Sequence, residues 1–259
     1  MKDQPNHMRT CKSGFTLIEL LAAMAILVVL VFMVGNLFTH STAIWEQGMR
    51  RADINTAGRA ALDFMHREIS TALLTDDIPM HITWNPADTE RGNDIYFVTS
   101  AGQSGVNNRS ISEIRYSVDR VLGLDGELGP YSVFRSSVSD MDWMTVLRPD
   151  VSTWWNSDAW TGTLEQMEDA GWAAPIIDNV YSLEFEHWYL NEDDTLEPFD
   201  LPFDSRNHPK PKAIIIEITL KLIDRRTADR WMQTEQRPDQ RDIYTFNTQV
   251  YIRNIDRPR

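Results

Sequence analysis

The chain of 259 residues has one cysteine, Cys11, which excludes an internal disulfide and a cysteine-based zinc site. Positive charge is scarce: 25 Lys plus Arg stand against 38 Asp plus Glu, a net charge of −13. Proteins that hold a phosphate backbone need dense positive charge, so nucleic acid is not an expected partner. The histidines, at 7, 40, 66, 81, 187 and 208, are scattered and form no His-x-x-x-His pair. Neither a Gly-x-Ser-x-Gly elbow nor a Gly-x-x-x-x-Gly-Lys loop occurs. No enzymatic role is expected. Repeats and a βαβ rhythm are also lacking, which removes solenoids and doubly wound folds. With 42% apolar and 24% charged residues, wholesale disorder and a multispanning membrane protein are excluded too. The simplest reading of the acidity is solubility.

Apolar residues are abundant in one place. Phe15–Phe38 is a 24-residue stretch whose single charge is Glu19. An apolar helix of roughly 20 residues crosses the hydrocarbon core of a bilayer. Before it lie Lys2, Arg9 and Lys12 against Asp3, a balance that keeps the amino end in the cytoplasm. A cleaved secretory signal has a shorter apolar region, about 7–15 residues, and a small-residue exit. Neither applies here. A lipoprotein cysteine would follow the apolar run, whereas Cys11 precedes it. Glu19 is the exception that matters, because a carboxylate inside an apolar span costs about 2.5–3.5 kcal/mol and is kept for a partner. No basic residue sits in the span, so the partner is expected from outside the chain. A carboxylate snorkelling to the interface is the plain alternative.

Lys12-Ser13-Gly14-Phe15-Thr16-Leu17-Ile18-Glu19 resembles the leader junction of type IV prepilins and type II secretion pseudopilins. The resemblance implies that prepilin peptidase cuts between Gly14 and Phe15 and methylates the new Phe15 amine. It also implies that Glu19 meets the free amine of an adjacent subunit during filament assembly. Removing Met1–Gly14, with three basic residues and one acidic, would take the net charge from −13 to −15.

Beyond the span the expected fold is α+β, with a long amino-terminal helix on antiparallel sheets. His40–Leu74 contains no proline and repeats apolar residues at helical spacing through Ile44, Ala57, Ala61, Met65, Ile69 and Leu73. A helix from Phe15 to Leu74 would reach about 90 Å. Gly48 and Gly58 weaken it by roughly 1 kcal/mol each and suggest bending. Arg50, Arg51, Asp53, Arg59, Arg67 and Glu68 fall mainly off its apolar face, and Asp76–Pro79 should end it. Strands are expected over Asp94–Thr99, Glu113–Val118, Tyr131–Val138, Val180–Tyr189, Ala213–Ile223 and Ile243–Arg253, with alternation that puts one sheet face on a core. Ser100–Ser110, Asn191–Lys212 and Thr227–Asp242 read as loops. The division is thus a leader over 1–14, a transmembrane helix over 15–38, its periplasmic continuation over 39–75 and a β-rich head over 76–259.

The order of strands, Ile177–Tyr189 with its acidic tail, and Pro211-Lys212-Ala213 before an apolar strand resemble the J class of minor pseudopilins. That resemblance implies a single-pass inner-membrane protein with a periplasmic head. Its partners would be the major pseudopilin and the I and K classes of minor pseudopilin, with which it would prime or cap a filament for protein export. Asp150–Ala173 departs from the pattern and reads as an insertion. Two rivals stay open: a minor pilin of a type IV pilus serving adhesion, motility or DNA uptake, and an anchored binding domain that never assembles.

Two further features raise chemistry. Asn191–Asp194 with Glu197 and Asp200 offers oxygen ligands, and calcium is the cofactor they would suit. The stretch lacks the alternating Asp and the Gly of an EF-hand loop, so a solvated acidic loop is the simpler reading. Trp154, Trp155, Trp160 and Trp172 crowd four indoles into 19 residues, a composition suited equally to a partner contact and to a small core.

Overall fold

The computed structural model describes residues 16–75, 78–85, 89–99, 112–120, 129–139, 173–191, 193–198, 200–205 and 213–252. The expected Gly14–Phe15 junction, the Ser100–Ser110 loop and all four clustered tryptophans lie outside these residues. The chain divides into two compact units, Met1–Arg51 and Ala52–Arg259.

Helix α1 spans Leu17–Ser70. Its part in the first unit is apolar and open: Leu17 is 80% exposed, Phe32 70% and Phe38 69%. Exposed apolar side chains continue past Phe38 to Ile44, Trp45 and Met49. Arg50 and Glu46 form an i,i+4 ion pair at 3.6 Å.

In the second unit α1 buries Gly58, Ala61, Leu62, Met65, Glu68 and Ile69. Ala57, expected inward, is exposed, and Glu68, expected outward, is 7% exposed. The helix stops at Ser70, before the expected Leu74 and the Asp76–Pro79 breaker. The hydroxyls of Ser70 and Thr71 donate to the carbonyls of Arg67 and Glu68 at 2.9 and 2.8 Å, tightening the last turn. Ala72–Leu73 then forms a short strand, β1. Gly58 is a packing residue and not a bend: a Cβ there would stand 2.8 Å from the Phe246 ring.

One antiparallel sheet is built from β2 (His81–Trp84), β3 (Asn93–Thr99), β4 (Ser112–Asp119), β5 (Ser132–Ser139), β6 (Ala173–Asp178) and β9 (Phe203–Asp204). Its order is β6-β5-β4-β3-β2-β9, with β1 against β3. The other sheet is built from β7 (Val180–Leu190), β8 (Leu196–Pro198), β10 (Ala213–Ile223) and β11 (Ile243–Ile252). Its order is β11-β10-β7-β8. The α+β expectation holds: a long apolar amino-terminal helix accompanies antiparallel sheets.

The strands expected from alternation are present within one or two residues at each end. The loop assignments need correction. Asn191–Lys212 contains β8 and β9, strands of three and two residues that are too short to alternate. Thr227–Asp242 contains most of helix α2, Arg225–Thr234. Asp224 caps that helix by accepting from the Thr227 amide and hydroxyl, both at 3.0 Å. Five charged residues between 224 and 230 hid its buried face, Thr227 and Ala228, with Trp231 half-buried beside it.

Cores form where Ile95, Phe97, Ile114 and Tyr116 meet the α1 residues, and where Leu183, Phe185, Ile216, Ile218 and Val250 join the same cluster. One-sided burial does not hold for β3 and β4. Asp94, Tyr96, Glu113, Arg115 and Ser117, on the face away from α1, are buried too. The two sheets meet at Gly92, which makes an isolated bridge to Leu183. Its φ is +110°, and a Cβ there would stand only 1.8 Å from the Leu183 carbonyl oxygen, which leaves room for glycine alone.

Candidate functional site

The first site is the start of α1. Glu19 lies three residues after Thr16, the spacing at which an N-cap residue and the third helical residue can satisfy one another. The Thr16 amide and hydroxyl each donate to Glu19 Oε2 at 3.0 Å. In return the Glu19 amide donates to the Thr16 hydroxyl oxygen at 3.3 Å. This is a capping box, and it places the carboxylate at the positive end of the helix dipole.

The expected external cation is therefore not the sole route to satisfying Glu19, because donors come from Thr16 within the chain. The signal was present in Thr16-Leu17-Ile18-Glu19, since Ser or Thr followed three places later by Glu before an apolar run marks a helix start. Looking only for a positive charge misses a hydroxyl and an amide.

After this box the helix is long and apolar enough to cross a bilayer, and the apolar window is entirely unburied by the rest of the chain. Such a surface is stable in lipid or against other apolar helices.

Comparison with known proteins bears on this same stretch. Residues 9–35 carry the prokaryotic N-terminal methylation motif. The matched residues include Gly14, Phe15, Thr16 and Glu19. The motif and the apolar helix together make the amino-terminal segment a membrane anchor. No curated protein matches the chain. Among solved structures, a type IV-like pilin from Thermus thermophilus is similar at 12% identity and a TM-score of 0.36, over 79% of this chain and all of that one.

The head carries two buried charge clusters. Glu68 is held by a fork of Arg135, whose Nη2 and Nε approach its two oxygens at 2.7 and 2.9 Å, and by the Tyr116 hydroxyl. Burial first, and then the Glu68 charge, push the Tyr116 phenol far above its usual range. Across the sheet, Arg115 donates to Asp94 Oδ2 through Nη2 at 2.7 Å and through Nε at 3.1 Å. Burial pushes the Asp94 carboxyl up to about 6, against the opposing pull of Arg115. Both pairs fasten elements together: the first joins α1 to β4 and β5, the second joins β3 to β4. Neither pair lines the cavity beside Trp231 or the groove beside Trp84.

The acidic stretch forms the β7–β8 turn. Asp193 accepts from the Thr195 hydroxyl at 2.7 Å and from its amide at 3.3 Å, and these bonds hold its carboxyl below the usual range. The main chain closes the turn through Asn191 to Thr195 at 3.0 Å. Among the described residues no group of three or more His, Cys, Asp or Glu side chains converges as a metal site would.

Proposed function

We propose that this chain is a pilin-like structural subunit, and specifically a minor pseudopilin of a type II secretion filament. The observation that carries the reading is the methylation motif over residues 9–35, with Gly14, Phe15 and Glu19 in register ahead of an unburied apolar helix. Prepilin peptidase would remove Met1–Gly14 and methylate Phe15. The anchor would sit in the inner membrane with its amino end cytoplasmic and its head periplasmic, as Lys2, Arg9 and Lys12 favour.

Assembly is a matter of surface chemistry and needs no reaction at the head. Apolar faces of α1 would pack against the helices of neighbouring subunits, where van der Waals contact and interhelical hydrogen bonds supply the attraction. Glu19 would exchange its Thr16 donors for the methylated amine of a neighbour. The α+β architecture is compatible with a pilin-like head. Partners of the I and K classes, the major pseudopilin, and a role in priming or capping follow from the J-class resemblance of the strand order. The acidic turn at Asn191–Asp194 is read as solvated. Calorimetry with calcium chloride, with heat of binding at millimolar concentration, would reverse that reading.

Mass spectrometry of the native protein tests the processing step: N-methylated Phe15 is the expected first residue, and an intact Met1 contradicts it. A deletion strain tests the system. Loss of an exported protein supports a pseudopilin, whereas loss of adhesion, motility or DNA uptake with export intact assigns the chain to a type IV pilus.

A further inference from the structure

In the second unit, β8 stops at Pro198, opposite Trp188, and leaves residues 184–187 of β7 facing a groove. The groove has a volume of about 490 Å³. Gly92 and Asn93 close its far side, where the Asn93 side chain exchanges two hydrogen bonds with the Phe185 main chain at 2.6 and 3.0 Å. Its walls combine the indoles of Trp84 and Trp188 with the carboxylates of Glu90, Glu184, Glu186 and Asp200.

Two of these carboxylates are matched inside the chain, Glu90 by Arg237 and Glu184 by Lys221 at 2.7 Å. Among the described residues no basic side chain bridges Glu186 or Asp200. Glu186 also stands directly opposite Glu217 in the β7–β10 register. Like charges in that position oppose strand pairing, so this edge keeps a negative potential at some cost to the sheet. Trp84, at the groove mouth, is 54% exposed. A large exposed indole beside unmatched carboxylates suits a cation that offers both charge and a flat or alkyl surface. The molecule holds such a group elsewhere: the Arg91 guanidinium lies 4.1 Å from the Trp231 ring centre and 4.4 Å from that of Tyr131.

We propose that this groove docks a partner protein segment that presents an arginine or lysine, with the cation over Trp84 and its charge met by Glu186 and Asp200. Charge complementarity decides the occupant, since a second copy of a chain with net charge −13 is repelled where a basic segment is drawn in. Docking here is independent of how Glu19 is used, because the groove lies wholly within Ala52–Arg259.

The test uses the full chain in detergent micelles and a fluorescent Gly-Arg-Gly-Arg-Gly peptide, followed by anisotropy, with Gly-Glu-Gly-Glu-Gly as the contrasting probe. The basic peptide should bind and the acidic one should not. Glu186→Gln with Asp200→Asn should weaken binding about tenfold, and Trp84→Ala about threefold, with partial recovery in Trp84→Phe. Asp53→Asn with Asp63→Asn removes the same charge from the exposed side of α1 and should leave binding unchanged. Equal loss in the two double variants would show diffuse attraction to an acidic protein and overturn the assignment. So would wild-type binding by Trp84→Ala, or absence of binding by the basic peptide.

Discussion

Acidic side chains are treated in opposite ways in the two units of this chain. In the first, Glu19 is the sole charge of the apolar span and finds donors three residues away, in its own helix turn. In the second, Glu68 finds them across 67 residues, in Arg135, and 48 residues away in Tyr116. A local bond forms whenever the helix forms and says nothing about what surrounds it. A long-range fork forms only when α1, β4 and β5 have come together. The buried Glu68 and Asp94 clusters of the head are thus satisfied within one chain, and they specify its packing. The anchor satisfies one carboxylate and leaves its whole apolar surface for an environment to cover. The exposed Leu, Val and Phe side chains are a requirement placed on lipid or on other subunits.

The contrast is tested most directly at Glu19. Glu19→Val and Thr16→Val both remove the capping box. If Glu19 acts only as a cap, the two variants should behave alike. Under the assembly reading, Glu19→Val abolishes incorporation into filaments while membrane fractionation stays normal, and Thr16→Val only reduces incorporation.

The next largest effect is expected in the head. Glu68→Leu leaves the half-buried Arg135 guanidinium without its fork, which costs about 3 kcal/mol in chemical denaturation, the low end for a buried pair. Adding Arg135→Met should recover part of that loss, since two apolar side chains no longer demand a partner.

A smaller effect isolates the packing of α1 on the head. Gly58→Ala gains about 1 kcal/mol of helix propensity and loses a similar amount by displacing the Phe246 ring, so the variant should be near neutral. In a Phe246→Ala background the same change should stabilise by about 1 kcal/mol. Persistent neutrality there would show that the ring is not what opposes the methyl group.

A further effect concerns pH. Asp94 has an ordinary value of 3.8 and is raised to about 6 by burial. The folded state therefore takes up a proton between these values that the unfolded state does not hold. Stability from this group is greatest below about pH 4 and declines as pH rises to about 6. Asp94→Asn should flatten the stability profile across that interval, as read by thermal unfolding at a series of pH values.

Much of this was legible in the residues. The 24-residue apolar run, and the alternation of Ile214, Ile216, Ile218, Leu220 and Leu222, each commit to one periodicity over a long stretch. The short elements were not legible, because two or three residues carry no period; β8 and β9 exist through their neighbours. Helix α2 was obscured by its charges, although Asp224 with Thr227 three places on is a capping pattern. Glu68 looked like a surface residue, and the Asp94–Arg115 pair could not be seen, because charge alone does not reveal a partner distant in sequence. The role of Gly58 was invisible for the same reason, since Phe246 lies 188 residues away.

A carboxylate that already possesses its donors has a consequence for growth and dismantling. If a neighbouring amine met Glu19 as proposed, bonds from a neutral hydroxyl and amide would be traded for a stronger, charge-assisted one, and on its departure the old ones would re-form. A fibre joined at such points would part without leaving a carboxylate bare, so each joint would be easier to undo than one whose acid had no other donors.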